Sequence, residues 1–588
     1  MKEKFFLILS QARKVFGIYP LVLLSSFFMA LVSIIYITVF DFYKDDSIRY
    51  LLFKLILVSG LGISLNFAFK LLTQRVQQSK IIEYLGIPIL IGFYFILPKN
   101  EADFSELYIY ILIPIYILSH LLVAFIAFTN KDNLEFSFWQ FNKNLFVNFF
   151  HTLVFVGVLI IGTELAILAI DNLFEIHFDS DVYWKLFLFI LIFGSTFIFL
   201  SFCESGLSSI EKEDEYPIVL QFFTQYILIP LLFLYVVILY VYLAKIVLSW
   251  ELPRGWVSYL ILAYSSVGIL ALLLVHPLKN NTEKTWVRAF GKLFYYTLFP
   301  LLILLFVAIF TRILAYSFTE PRYYVLLLAI WLSIVVFYFV FIKNATIKFI
   351  PICLFVFGLF ALVFPYFNAI SVAKRSQKKS LEQILMDNKL LENGKIDFDK
   401  TITDSLVYEI SSKFDFLNSR GQSSFLLNFL DEKAQSEMIK VGLGYWPIES
   451  KFKNIQHTSN LNYPASYIQL TSKQTYFEIE DYQYAVLQQY LDDKEIKINQ
   501  DVFQIKTQQN STLYMVLNKK DTLNLKPLAL KLFDNYPNNP ELLSVEGQLA
   551  NYKIKVIFGT IEKTNVDANR TDLWYSNIVY LIKEINKN

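Results

Sequence analysis

Residues 315–332 read AYSFTEPRYYVLLLAIWL, a polar lip followed by an apolar run that continues to residue 342. Such a run is long enough to cross the roughly 30 Å hydrocarbon core of a bilayer at about 1.5 Å per residue. Eleven segments of this kind are found along the chain, near 18–40, 50–69, 81–97, 107–128, 145–170, 183–203, 218–246, 256–278, 293–315, 323–342 and 347–370. All must be helical, because lipid offers no partner to an open backbone amide. The third is the shortest. The predicted fold is therefore an all-α polytopic membrane domain of about eleven transmembrane helices over residues 1–374.

Composition agrees. Of 588 residues, 56% are hydrophobic and 18% aromatic, with a mean hydropathy of +0.48. A soluble chain of this size is far less apolar. Charge is nearly balanced, with 52 Lys and Arg against 50 Asp and Glu, which argues against nucleic acid as a partner. The two cysteines, Cys203 and Cys353, both lie in apolar runs, so neither a disulfide framework nor a paired-cysteine metal site is expected. The N-terminal stretch reads as an uncleaved first span, since no small-residue cleavage site follows it.

Short-loop Lys and Arg favour a cytoplasmic N-terminus. On that side fall Lys2, Lys4, Arg13, Lys14, Lys70, Arg75, Lys80, Lys343 and Lys348, whereas the opposite loops are poorer in bases. Eleven spans then put the C-terminal region outside. The basic run AKRSQKK (373–379) pulls the other way.

From about residue 375 the texture turns polar with helical spacing of Leu and Ile, and after about 460 it alternates with β-branched residues, as in TYFEIEDY and YKIKVIFGTIEKT. A soluble α+β domain over 375–588 is expected, large enough for its own core. Within the membrane region, FWQFNKNLFVNFF (138–150) resembles TWVRAFGKLFYYTLF (285–299), and DVYWKLFLFILIF (181–193) resembles PRYYVLLLAIWLS (321–333). Spans four to seven and eight to eleven thus form a candidate parallel repeat, an arrangement that transporters use.

Few residues invite chemistry. At the lip, Thr319 is placed to cap a helix, Pro321 suits its first turn, and Glu320 is favoured by the helix dipole. Tyr323 and Tyr324 suit the aromatic belt, and Arg322 reads as a snorkelling anchor or an anion contact. Among charges inside spans, Glu164 is deepest and aligns with Arg312 in the repeat, so a Glu164–Arg312 ion pair is expected. The loop holding Asp171, Glu175, His177, Asp179 and Asp181 matches no metal-binding spacing and reads as a solvated acidic loop. No phosphate loop, dinucleotide fingerprint, nucleophile elbow or thiol site is found, so no catalytic, cofactor or metal residue is assigned.

The lip carries a resemblance as well. Tyr316, Thr319, Glu320, Arg322 and Tyr323 match the Tyr-x-x-Thr-Glu-x-Arg-Tyr signature of the bacterial family catalogued as domain of unknown function 4153. The likeness extends over about 255–400, including LEQILMDNKLLENGKI (381–396). It implies an integral membrane protein of bacteria, names no activity, and marks Glu320 and Arg322 as residues that matter, as a structural ion pair; the expected location is the bacterial cytoplasmic membrane. Two readings follow. One is a non-enzymatic platform whose C-terminal domain, in the periplasm, binds another membrane or envelope protein. The other is a transporter or lipid-handling enzyme.

Overall fold

A computed structural model describes residues 2–42, 46–76, 80–129, 135–174, 178–212, 216–249, 256–277, 285–456, 467–474, 476–479, 481–488, 494–508, 512–533, 541–567 and 570–585. The chain divides into two compact units, Met1–Ile455 and Gln456–Asn588.

In the first unit the apolar runs are helices. They are α1 (Lys2–Ile18), α2 (Pro20–Phe42), α3 (Asp46–Val76), α4 (Gly86–Ile96), α5 (Ile109–Phe125), α6 (Glu135–Phe174), α7 (Ser180–Ser201) and α8 (Ile218–Ser249). There follow α9 (Trp256–Leu274), α10 (Thr285–Tyr316), α11 (Glu320–Phe341) and α12 (Phe349–Val363), then the polar α13 (Ala369–Asp387) and α14 (Asp404–Asn418). Among the described residues nine helices are long and apolar enough to cross a membrane.

Side chains tie the helix ends into two opposite faces. At one face Tyr19 donates to the Cys203 carbonyl (2.9 Å), Lys70 pairs with Glu83 (2.8 Å), and Arg75 bonds both Glu211 and the Ala127 carbonyl. Trp139 and Tyr216 reach the carbonyls of Leu273 and Leu274 there (2.7 and 2.9 Å). At the other face Tyr50 and Lys54 both donate to the Pro98 carbonyl (3.0 Å each), and Tyr324 donates to that of Tyr110 (2.7 Å). Apolar helices run from one face to the other, as α3 does from Tyr50 and Lys54 to Lys70 and Arg75.

This includes the short third segment. Its eleven-residue α4 is preceded by a 3-10 helix, Lys80–Leu85. Six residues at about 2 Å and eleven at about 1.5 Å cover about 28 Å. The last segment differs from the expected 347–370. Its helix stops at Val363, because Pro365 favours an extended Phe364 (φ −74°, ψ 110°). The chain restarts at α13, where the Asn368 side chain accepts from Ser371 N (2.8 Å) and caps the new helix.

The largest core lies among α9, α10 and α11, with Ile261, Leu298, Leu301, Leu305, Leu332 and Val335 fully buried. Gly268 lets the Phe294 ring seat against α9, since a Cβ there would lie 2.0 Å from the ring. α6 is different. It buries Phe138, Trp139, Gln140, Phe141, Lys143 and Asn144 in its first turns and leaves most of the rest bare, from Phe149 to Phe174. Beyond the bundle, Leu381 and Leu385 of α13 meet Val407, Ile410, Phe414 and Leu417 of α14 in a separate core. This lobe, up to Ile455, belongs to the same compact unit as the bundle.

The second unit is built from strands β1 (Tyr467–Thr471), β2 (Tyr484–Gln488), β3 (Lys494–Ile498), β4 (Asp501–Gln508), β5 (Thr512–Leu517), β6 (Asp521–Asn524), β7 (Leu543–Leu549), β8 (Tyr552–Asp567) and β9 (Arg570–Glu584). One antiparallel sheet has the order β6-β5-β4-β3, the other β7-β8-β9-β2, with β1 also on β8. Alternation sets the register. Ile554, Val556 and Phe558 point to a core shared with Phe503, Ile505, Leu513 and Met515 of the first sheet, while Lys553 and Lys555 point away. The sequence class, a helical membrane region followed by strands, is the observed one.

Candidate functional site: a buried carboxylate at the lip

α10 ends at Tyr316 and α11 begins at Glu320, so the three residues between must turn the chain back into the bundle. Ser317 does so in the left-handed region (φ 62°). The turn leaves the last carbonyls of α10 without helical partners. Side chains take them. Arg322 Nη1 donates to the carbonyls of Tyr316 (2.9 Å) and Ser317 (2.7 Å), and Gln377 Nε2 donates to those of Tyr316 (3.1 Å) and Phe318 (2.9 Å). Phe318 N donates to Ser376 Oγ (3.0 Å). A cation at this end also suits the helix dipole.

Glu320, the first residue of α11, is fully buried. A lone carboxylate there would be prohibitively costly, so the fold supplies a cation. Arg420, in the turn after α14, grips it with two parallel bonds, Nε to Oε1 at 2.7 Å and Nη2 to Oε2 at 2.9 Å. The guanidinium is itself held. It stacks 3.5 Å from the Phe416 ring centroid and donates from Nη1 to the Phe416 carbonyl (3.1 Å) and Ser419 Oγ (2.9 Å). Nearby, burial holds the Lys374 ammonium below its ordinary pKa, and Lys378 and Arg420 push the same way while Glu320 opposes them. Lys413 donates to Gln377 Oε1 (3.2 Å) and lies 3.6 Å from Glu409.

The expected residues find unexpected partners. Thr319 occupies the N-cap position with extended backbone, but its side chain makes no capping bond. Glu320 pairs with Arg420, 100 residues on, and not with Arg322. Tyr323 and Tyr324 spend their hydroxyls on the carbonyls of Phe367 (2.6 Å) and Tyr110. Glu164 and Arg312 are not brought together as an ion pair among the described residues. α6 packs on α7, and Glu164 Oε1 is buried without a hydrogen-bond partner. Arg312 instead faces a groove between α9 and α11.

Asp171 accepts from Phe178 N (3.0 Å), and Asp181 lies 3.3 Å from Lys185. Glu175 and His177 of that loop lie outside the described residues. Among the described residues no three His, Cys, Asp or Glu side chains gather as a metal site.

Chemically the lip is a joint. Both oxygens of Glu320 are committed to one guanidinium, which fixes the entry of α11 to the lobe.

The profile of the family described as Domain of unknown function (DUF4153) matches residues 20–401, which include the lip and Gln377 but neither Arg420 nor Lys413. The chain belongs to that family. Among curated proteins, an uncharacterized protein of Pasteurella multocida (strain Pm70) is 30% identical over 247 residues, 41% of this chain and 40% of that one. The match thus spans less than half of the relative's length. No solved structure matches.

Sequence reading alone misses Arg420, Ser376, Gln377 and Lys413. One signal was available. Ala373, Gln377, Leu381 and Leu385 share one helical stripe, and all four are buried. A glutamine in a leucine stripe announces a partner.

Proposed function

We propose that this DUF4153 protein is a non-enzymatic membrane platform that holds an extramembrane lobe and a strand-rich C-terminal unit for a partner protein of the envelope. The observation that carries the reading is the Glu320–Arg420 pair, buried and bidentate, which makes the lobe a rigid extension of the bundle. A rigid joint suits presentation of a docking surface better than a gated pathway, which needs two discrete arrangements. Under the same reading the membrane is the bacterial cytoplasmic membrane, the N-terminus is cytoplasmic and the lobe faces the periplasm. Short-loop bases support that orientation.

The test is mild extraction of the tagged full chain from its native membrane, followed by mass spectrometry. A stoichiometric protein that dissociates when residues 456–588 are deleted is the expected result. A chain that emerges without a protein partner overturns the reading.

A further inference from the structure

Arg312 and Arg322 flank one ring. Their guanidinium carbons lie 5.8 and 5.4 Å from the Tyr316 ring centroid. Both line a groove of about 630 Å³ with Trp256, Ser258, Tyr259 and Ile309. Among the described residues neither arginine has a carboxylate partner, since Glu320 belongs to Arg420. The hydrogen bonds that Arg322 makes to the lip use Nη1 alone, and its Nε and Nη2 carry none among the described residues. Two cations confined at a helix end, with donors to spare, call for an anion, and planar guanidinium forks suit phosphate.

The groove does not end at the arginines. Tyr259, Pro321 and Val325 are also walls of a second cavity of about 410 Å³ between α5, α9, α11 and α12, whose lining is almost wholly apolar. Ile113 and Ile117 form its rim and are more than half exposed on the surface of the bundle. A charged groove at the helix ends thus adjoins an apolar trench on the membrane-spanning surface, with Tyr259, Pro321 and Val325 lining both. A soluble anion has no use for the trench, and a neutral lipid has no use for the arginines.

We propose that Arg312 and Arg322 bind the phosphate of an anionic phospholipid whose acyl chain lies in the trench bounded by Tyr259, Pro321, Val325 and Ile113. The site shares Arg322 with the lip but not the Glu320–Arg420 pair, and it does not depend on the platform reading.

Native mass spectrometry of the detergent-purified full chain tests it, with phosphatidylglycerol, phosphatidylcholine and inorganic phosphate as probes. Phosphatidylglycerol is expected to be retained about tenfold better than phosphatidylcholine, whose phosphate is the same but carries a choline cation that the two arginines repel. Arg312→Gln should abolish that preference. This side chain holds no backbone carbonyl of the lip, so its loss leaves the turn intact. Ile113→Trp, at an exposed position, should fill the trench and weaken retention of both lipids. Equal retention of the two lipids, or a preference unchanged by Arg312→Gln, overturns the proposal. So does displacement of phosphatidylglycerol by equimolar inorganic phosphate, which would mark a site for soluble anions.

Discussion

Glu320 and Glu164 both stand in apolar helices, and the regions around them treat the charge in opposite ways. α11 is enclosed by α9, α10, α12 and the lobe, and its carboxylate meets a guanidinium delivered from 100 residues away. α6 is bare over most of its length, and Glu164 Oε1 finds no partner. Enclosure demands an ion pair of high quality. A helix facing lipid does not obtain one merely because a basic residue occupies the matching place in a repeat.

The sharpest way to break this contrast is to remove one member of the enclosed pair. Glu320→Ala or Arg420→Ala should cost about 3–5 kcal/mol, because each strands a buried charge. Thermal unfolding of the purified chain reads the loss. The double replacement Glu320→Met with Arg420→Leu should recover much of it, and a double mutant as unstable as the singles would show that the carboxylate serves something besides its partner.

Next in size is Gln377→Leu, which unties the Tyr316 and Phe318 carbonyls and Lys413 at once. A loss of about 1–3 kcal/mol is expected, with faster proteolysis within residues 317–319. Unchanged proteolysis would reduce the glutamine to packing.

A smaller effect concerns pH. Burial lowers the Lys413 pKa most, Arg322 adds to that, and Glu409 opposes it. The unfolded chain keeps this proton up to the ordinary value of 10.5, while the folded chain releases it earlier. Between those two values the unfolded state binds more protons, so stability rises with pH. Lys413→Met should remove that rise when its unfolding profile is subtracted from wild type. An identical slope in both proteins would rule Lys413 out as its source.

The smallest effect is expected at the bare helix. Glu164→Gln should alter stability by no more than about 0.5 kcal/mol. A loss comparable to that of Glu320→Ala would mean that α6 has a partner in the membrane.

The fold was legible where one physical requirement dominates. Backbone in lipid must be helical, so apolar length located the spans, and alternation located the strands of the second unit. The break at Phe364 was also readable, from Pro365. The joint was only half legible. Dipole logic brings a carboxylate to the start of α11, but nothing local to Glu320 names Arg420. That contact depends on how α13 and α14 fold back, and the long separation hides it. Thr319 misled for a related reason. A capping residue was in place, yet the turn was satisfied by Arg322 and Gln377 from outside it.

The helices differ greatly in apolar length, and a bilayer responds to length. From Leu145 to Ile170, α6 is apolar over about 38 Å at 1.5 Å per residue, whereas the fifteen residues of α12 cover about 22 Å. A hydrocarbon core near 30 Å matches neither. Lipid beside α6 must thicken or the helix must lean, and lipid beside α12 must thin. The two lengths differ by about 16 Å at 1.5 Å per residue, a mismatch that the lean of α6 or the thickness of the bilayer around the protein must take up.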